Sequence, residues 1–140
     1  MGLVMRAVGS LHRRLYRLSD GKFGGAVGKM PILLLTTTGH KSGQERTCPV
    51  GYVTDGDRLL VVASALGQAA HPAWYLNLRA NPRVTIRRGA ETRPMVAETA
   101  AGEERARLWS RLIEDYPFFV RHQRKTTREI PIVILTRAAG

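Results

Sequence analysis

At 140 residues the chain suits one domain and can bury a real core. A formal net charge of +11 and a pI near 11.0 point to anionic partners: nucleic acid, acidic lipid or a phosphorylated small molecule. A single cysteine, Cys48, excludes an internal disulfide and suits a reducing cytoplasm, and no apolar run is long enough for a transmembrane helix.

The chain opens on a helical pattern. Within residues 1–20, Val4, Val8, Leu11, Leu15 and Leu18 fall on one face and Arg6, Arg13 and Arg17 on the other. Such a basic amphipathic helix suits either an anionic membrane surface or packing against the domain or a partner subunit. Arg13, Arg14 and Arg17 interrupt the stretch where a secretory leader needs its apolar core. Residues 21–30 are a glycine-rich connector.

Ile32–Leu35 is a strand buried on both faces, and Thr47–Val53 returns as a second strand. Between them, Gly39-His40-Lys41-Ser42-Gly43 and Arg46 form a basic turn. By composition it is either a solvated hairpin or a cradle of N–H groups and cations for a phosphate; ordinary turn chemistry favours the former, and no Walker A string is present. Cys48, beside Pro49, reads as a packing residue. Asp55-Gly56 signals a tight hairpin, followed by the buried strand Leu59–Ala63, which ends at Ser64, and by a loop over Leu66–Ala70.

His71–Ala80 reads as a short helix with Pro72 in its first turn and Asn81-Pro82 as its stop. Arg83–Arg88 alternates as a half-solvated strand. Glu91–Thr99 is another strand, where Pro94 marks an edge or a bulge. A helix starts at Gly102-Glu103-Glu104 and ends at Tyr116-Pro117, with Leu108, Leu112 and Ile113 as its stripe and Trp109 in the core. Phe118–Arg128 is a further helix or lid, and Ile130–Leu135 a last strand. About six strands joined mostly by hairpins predict a mainly β, α+β architecture: a small antiparallel barrel with peripheral helices, not a doubly wound sheet.

Four scattered histidines and one cysteine supply no metal set. Without a G-x-S-x-G elbow, Ser64 is a weak nucleophile candidate. Trp74 either packs in the core or walls a flat ligand, with the Asn77 amide one turn on available for polar edges.

The strings LLLTTTGHKSGQERTCPVGYV, DGDRLLVVAS, HPAWYLNLRANPRV, EERARLW and IPIVIL occur in that order. They resemble the deazaflavin-dependent nitroreductase and F420H2-dependent quinone reductase family, actinobacterial reductases that use coenzyme F420. The resemblance runs from about Asp20 onward and implies one split β-barrel domain of the FMN-binding, flavin-reductase type over residues 1–140. It implies that Lys41, Ser42, Arg46 and the backbone at His40 bind the cofactor's phosphate and acidic tail. It sets Val62, Ala63, Ser64 and Ala65 along the deazaflavin ring, with Ala73, Trp74, Tyr75, Leu76 and Asn77 beside it. Where the family's nitroreductase has substrate-pocket tyrosines near the C-terminus, Tyr116 keeps one, while Phe119, able to stack on the cofactor but not to donate a hydrogen bond, and His122, able to donate, stand at the other two positions.

The expectation is therefore an F420-dependent oxidoreductase that passes hydride to a quinone, an activated alkene or a nitroaromatic. Ser64, Tyr116 and His122 are the catalytic candidates: Ser64 presents its hydroxyl and neighbouring N–H groups to the ring, and the proton comes from water, Tyr116 or His122. Its quinone-like acceptor is lipid-soluble, the protein cytoplasmic with contact to an anionic inner membrane face, and a homodimer compatible. Rival readings are an FMN-binding reductase on the same barrel and a cofactor carrier without turnover. A nucleic-acid-binding barrel fits less well, because aromatics are only 6% and the basic strand Arg83–Arg88 carries none.

Overall fold

The computed structural model describes residues 26–27 and 30–138. The expected N-terminal helix and most of the glycine-rich connector lie outside the described residues. Seven strands follow one another: β1 Ala26–Val27, β2 Met30–Thr38, β3 Glu45–Asp55, β4 Arg58–Val62, β5 Arg83–Arg88, β6 Glu91–Thr99 and β7 Ile132–Arg137. Three helices join them, α1 Ala73–Ala80, α2 Gly102–Asp115 and α3 Phe118–Arg124, with a 3-10 turn at Ala65–Gly67.

Strands β2-β3-β4-β7-β6-β5 pair antiparallel in that order, and β5 pairs back onto β2, closing a six-stranded split barrel; β1 adds to the start of β2. The aliphatic runs explain the closure. Alternate residues point to opposite sides of a strand. Leu33, Leu35, Leu59, Val61, Val84, Ile86, Met95, Val133 and Leu135 fill the barrel interior. Leu60, Ile132 and Ile134 point outward into a second core with Met30 and Phe119, beneath Leu108 and Leu112 of α2. Continuous apolar runs therefore serve two cores at once. Each fully buried leucine contributes about 1.5–3 kcal/mol by transfer from water.

Pro94 sits inside β6, opposite Thr85 of β5. Its carbonyl accepts from Ala138 N–H at 3.2 Å. In a strand, a residue's N–H and C=O point to the same side, so the missing donor falls where β7 has already run out. That geometry accommodates proline without a free barrel edge.

Helix α2 is pinned to the β3–β4 hairpin by charge. Asp55 accepts from Arg111 at 2.7 Å and from Arg58, and Arg107 reaches it at 3.5 Å. Arg111 also donates to the Thr54 carbonyl, and Arg58 bridges to Glu104 at 3.1 Å. The Arg58 hydrogen bond, followed by Arg107, holds the Asp55 carboxyl below the usual carboxylate range. Trp109 is half-buried against the second core, with the Arg105 guanidinium over its ring at 4.8 Å.

Candidate functional site

The register gathers one group of residues at a single end of the barrel. The β2–β3 turn, the end of β4, the start of β7 and helix α1 all lie there, because antiparallel neighbours alternate direction. Helix α1 plugs this end: Tyr75 and Leu78 enter the interior core, and half-buried Trp74 packs against it.

The basic turn is built on its own backbone. Gly39 N–H donates to the Gln44 carbonyl at 2.7 Å, Gly43 N–H to the Gly39 carbonyl at 2.9 Å, and Gly43 adopts φ +72°. Ser42 Oγ accepts from Gln44 N–H at 3.1 Å, which leaves its own proton free to donate. Lys41 and Arg46 are exposed and form no ion pair with any described residue. The paired carboxylates, Asp55, Glu91, Glu104 and Glu129, all serve other arginines.

Two expected ligand groups are already engaged. Asn77, only 4% exposed, accepts at Oδ1 from the His40 N–H at 3.0 Å and bonds His40 Nδ1 at 2.7 Å. Its Nδ2 donates to buried Thr37 Oγ1 at 3.1 Å. The Asn77 amide is thus a brace between α1, β2 and the turn rather than a ligand-facing edge. Neither is the His40 N–H available to a phosphate. Tyr75 is likewise buried, its hydroxyl 2.9 Å from Thr99 Oγ1. Ala73 is exposed, while Trp74 and Leu76 are half-buried, and these are the α1 groups with surface to offer.

The segment after β4 is constrained. Ala63 faces the interior core, and its N–H donates to the Pro131 carbonyl at 2.9 Å; half-buried Val62 packs on the second core. Ser64 is 8% exposed and starts a 3-10 turn in which Ala65 (φ 47°) and Leu66 (φ 56°) both take left-handed conformations. Two such residues in succession, neither of them glycine, mark stored strain of the kind found at ligand sites. No sequence signal announced it. Gly67 (φ +81°) lies against α3 so closely that an added Cβ would meet the His122 carbonyl at 2.5 Å.

Arg128, which the residue pattern places only within a basic lid, holds this segment. Its guanidinium donates to the carbonyls of Ala63 (3.1 Å), Ser64 (2.8 Å) and Gln68 (3.0 Å) and to His71 Nδ1 (3.1 Å). Since arginine only donates, His71 Nδ1 is the acceptor and the ring is neutral. Burial, then the charges of Arg128 and Arg79, lower the His71 pKa.

The C-terminal aromatics divide. Phe119 is 4% exposed and packs in the second core, where its ring has little surface to offer a ligand. Its neighbour Phe118 is half-buried instead, packed between Tyr116 and His122 with ring centroids at 6.1 and 5.4 Å. Tyr116 is half-buried against the same core. His122 Nδ1 is enclosed without a hydrogen-bond partner among the described residues. Burial first, then Lys125 and Arg121, lower its pKa, so it is neutral at pH 7 and a poorer proton store than its composition implied. Burial pushes the Cys48 thiol up to about 11, which suits packing and not nucleophilic chemistry. A separate cavity of about 190 Å³, lined by Arg88, Arg93, Arg137 and Glu91 among others, opens at the opposite barrel end.

Residues 9–137 match the sequence profile described as F420H(2)-dependent quinone reductase. The chain belongs to this family. An F420H(2)-dependent quinone reductase of Mycobacterium tuberculosis is 40% identical to it over 131 residues, 91% of this chain and 88% of that protein. A solved F420-H2 dependent reductase superposes with a TM-score of 0.68 at 41% identity, covering 76% of this chain and 94% of that one. A further structure, described as a domain-swapped dimer, gives 0.70 at 36% identity over 94% and 98%. Among the described residues, no helix is long and apolar enough to cross a membrane.

Proposed function

We propose that this family member uses reduced coenzyme F420 to reduce a quinone, with the cofactor's acidic tail held on the Gly39–Arg46 turn. The observation that carries this is the pair of cations there that no described carboxylate neutralises, at the same barrel end as the strained Ser64–Gly67 segment. A polyanionic tail fits that donor set: Lys41 and Arg46 supply charge, and the Ser42 hydroxyl supplies one free proton. When bound, reduced F420 supplies the hydride from its C5 position.

The chain's own residues bind, orient and exclude water. Ser64 and Ala65 offer N–H groups that no described residue accepts, and Trp74 and Leu76 offer apolar surface. Tyr116, Phe118 and His122 form a half-buried aromatic group, to which we assign the acceptor. Tyr116 brings a phenolic O–H to this group, and burial disfavours the charged form of His122. A lipid-soluble quinone, a cytoplasmic location and contact of the basic segment 1–20 with an anionic membrane face form one consistent reading. A homodimer finds support in the domain-swapped relative.

Anaerobic single-turnover oxidation of reduced F420 by menadione, a nitroaromatic and an enone in parallel tests the reading. Menadione is expected to react fastest. Bound reduced cofactor that no quinone oxidises would overturn it in favour of a carrier.

A further inference from the structure

We propose that Arg128 is a positioning residue that fixes the amide donors of the Ser64–Ala65 segment toward the cofactor ring. The inference rests on the reading above for what the amides face, but not for what Arg128 does.

A trans peptide sends its C=O and the following N–H in opposite directions. Arg128 binds the carbonyls of Ala63 and Ser64 at 3.1 and 2.8 Å. The N–H groups of Ser64 and Ala65 are thereby turned away from the guanidinium, and no described residue accepts from either. A third bond to the Gln68 carbonyl closes the far side of the segment at 3.0 Å. Between the clamped points, Ala65 and Leu66 sit at φ 47° and 56°, which side-chain-bearing residues avoid unless their surroundings enforce it. Within the segment itself only two bonds hold the turn, Gly67 N–H to the Ser64 carbonyl and Gln68 N–H to the Ala65 carbonyl. The guanidinium supplies the rest.

The other neighbours are consistent with a clamp and not an ion pair. No carboxylate reaches Arg128 among the described residues; its fourth contact is the neutral His71 ring. A lysine cannot reproduce this pattern, because one ammonium lacks the planar fork that spans three carbonyls. The contacts of Arg128 are to backbone carbonyls and the His71 ring. It acts through the backbone it holds.

The test compares wild type with Arg128→Ala and Arg128→Lys by three readouts. In the free protein, amide exchange at Gly67 and Gln68 should quicken at least tenfold in Arg128→Ala, as a clamp released from its segment requires. In the complex, the absorption of bound oxidised F420 should move toward that of the free cofactor. The single-turnover rate with menadione should fall roughly 10–100-fold, as expected for a ring misplaced by about 1 Å, while Kd for F420 changes less than about threefold because the tail anchor is intact. Millimolar guanidinium should restore part of the rate in Arg128→Ala, and Arg128→Lys should fall between. Wild-type exchange, spectrum and rate in both variants would overturn the proposal. If Arg128→Ala does not fold, Arg128→Lys decides by the same criteria. Failure of wild type to bind F420 would defeat the functional reading alone; the exchange measurement on free protein would still decide whether Arg128 is the clamp.

Discussion

Asn77 Oδ1 receives two hydrogen bonds from one residue, His40: the backbone N–H at 3.0 Å and ring Nδ1 at 2.7 Å. Because Oδ1 can only accept, His40 carries its proton on Nδ1. With Nδ2 bonded to Thr37, this one buried amide ties α1 to the basic turn and to β2. The turn's cations therefore project from a braced frame.

Replacing Asn77 by alanine leaves the buried Thr37 hydroxyl and the His40 N–H without their partner. Stability should fall by about 1–3 kcal/mol, read from urea denaturation. Asn77→Asp keeps the acceptor but adds a negative charge near the basic turn, so it should fold better than the alanine variant and bind F420 more weakly than wild type. An alanine variant that unfolds at the parent's midpoint would show that the brace carries no energy.

Gly67 is required twice over, by φ +81° and by the His122 carbonyl, which would lie 2.5 Å from the Cβ of any other residue. Gly67→Ala should cost roughly 2–4 kcal/mol, combining left-handed strain with overpacking against α3. A shift of the Phe118 and His122 side-chain NMR signals should accompany it, since the same helix must move. Unchanged signals with unchanged melting would mean that α3 does not rest on this segment.

Acid should weaken the fold in two stages. His71 and His122 have pKa values below the ordinary 6.5 in the folded chain. The unfolded chain then binds protons first, so their contribution is complete above about pH 6.5 and is lost as pH falls from there through the folded values. Asp55, depressed below 3.8 by Arg58 and Arg107, keeps its contribution above that value and loses it on further acidification. Denaturant midpoints measured from pH 7.5 to 3 should show the first decline vanish in a His71→Gln, His122→Gln double variant. A first decline that persists in that variant would contradict the assignment.

Much of this architecture could be read from residue pattern. The runs Leu33–Leu35, Leu59–Ala63 and Ile132–Leu135 are apolar at every position because the barrel buries both faces, one inward and one under helices. The basic turn was legible from Gly39, Gly43 and the cations between them. What pattern could not supply was the partner of each polar group. Asn77 reads as a ligand amide until its distance to His40 is known, and Phe119 differs from Phe118 only in which side of a two-turn helix faces the core. Arg128 was hidden for the opposite reason: arginine is common in this basic chain, and three of its four contacts are to carbonyls, which leave no trace in side-chain composition. The left-handed pair Ala65 and Leu66 carries no glycine to announce it.

Calorimetric titration of F420 into wild type and a Lys41→Ala, Arg46→Ala double variant, across a salt series, tests the central claim most directly. The account predicts that dissociation constants rise at least tenfold in the double variant, about 1.4 kcal/mol or more, and that the salt dependence flattens as the two charges are removed. Equal affinity with an unchanged salt dependence would contradict it, because the acidic tail would then be held somewhere other than this turn.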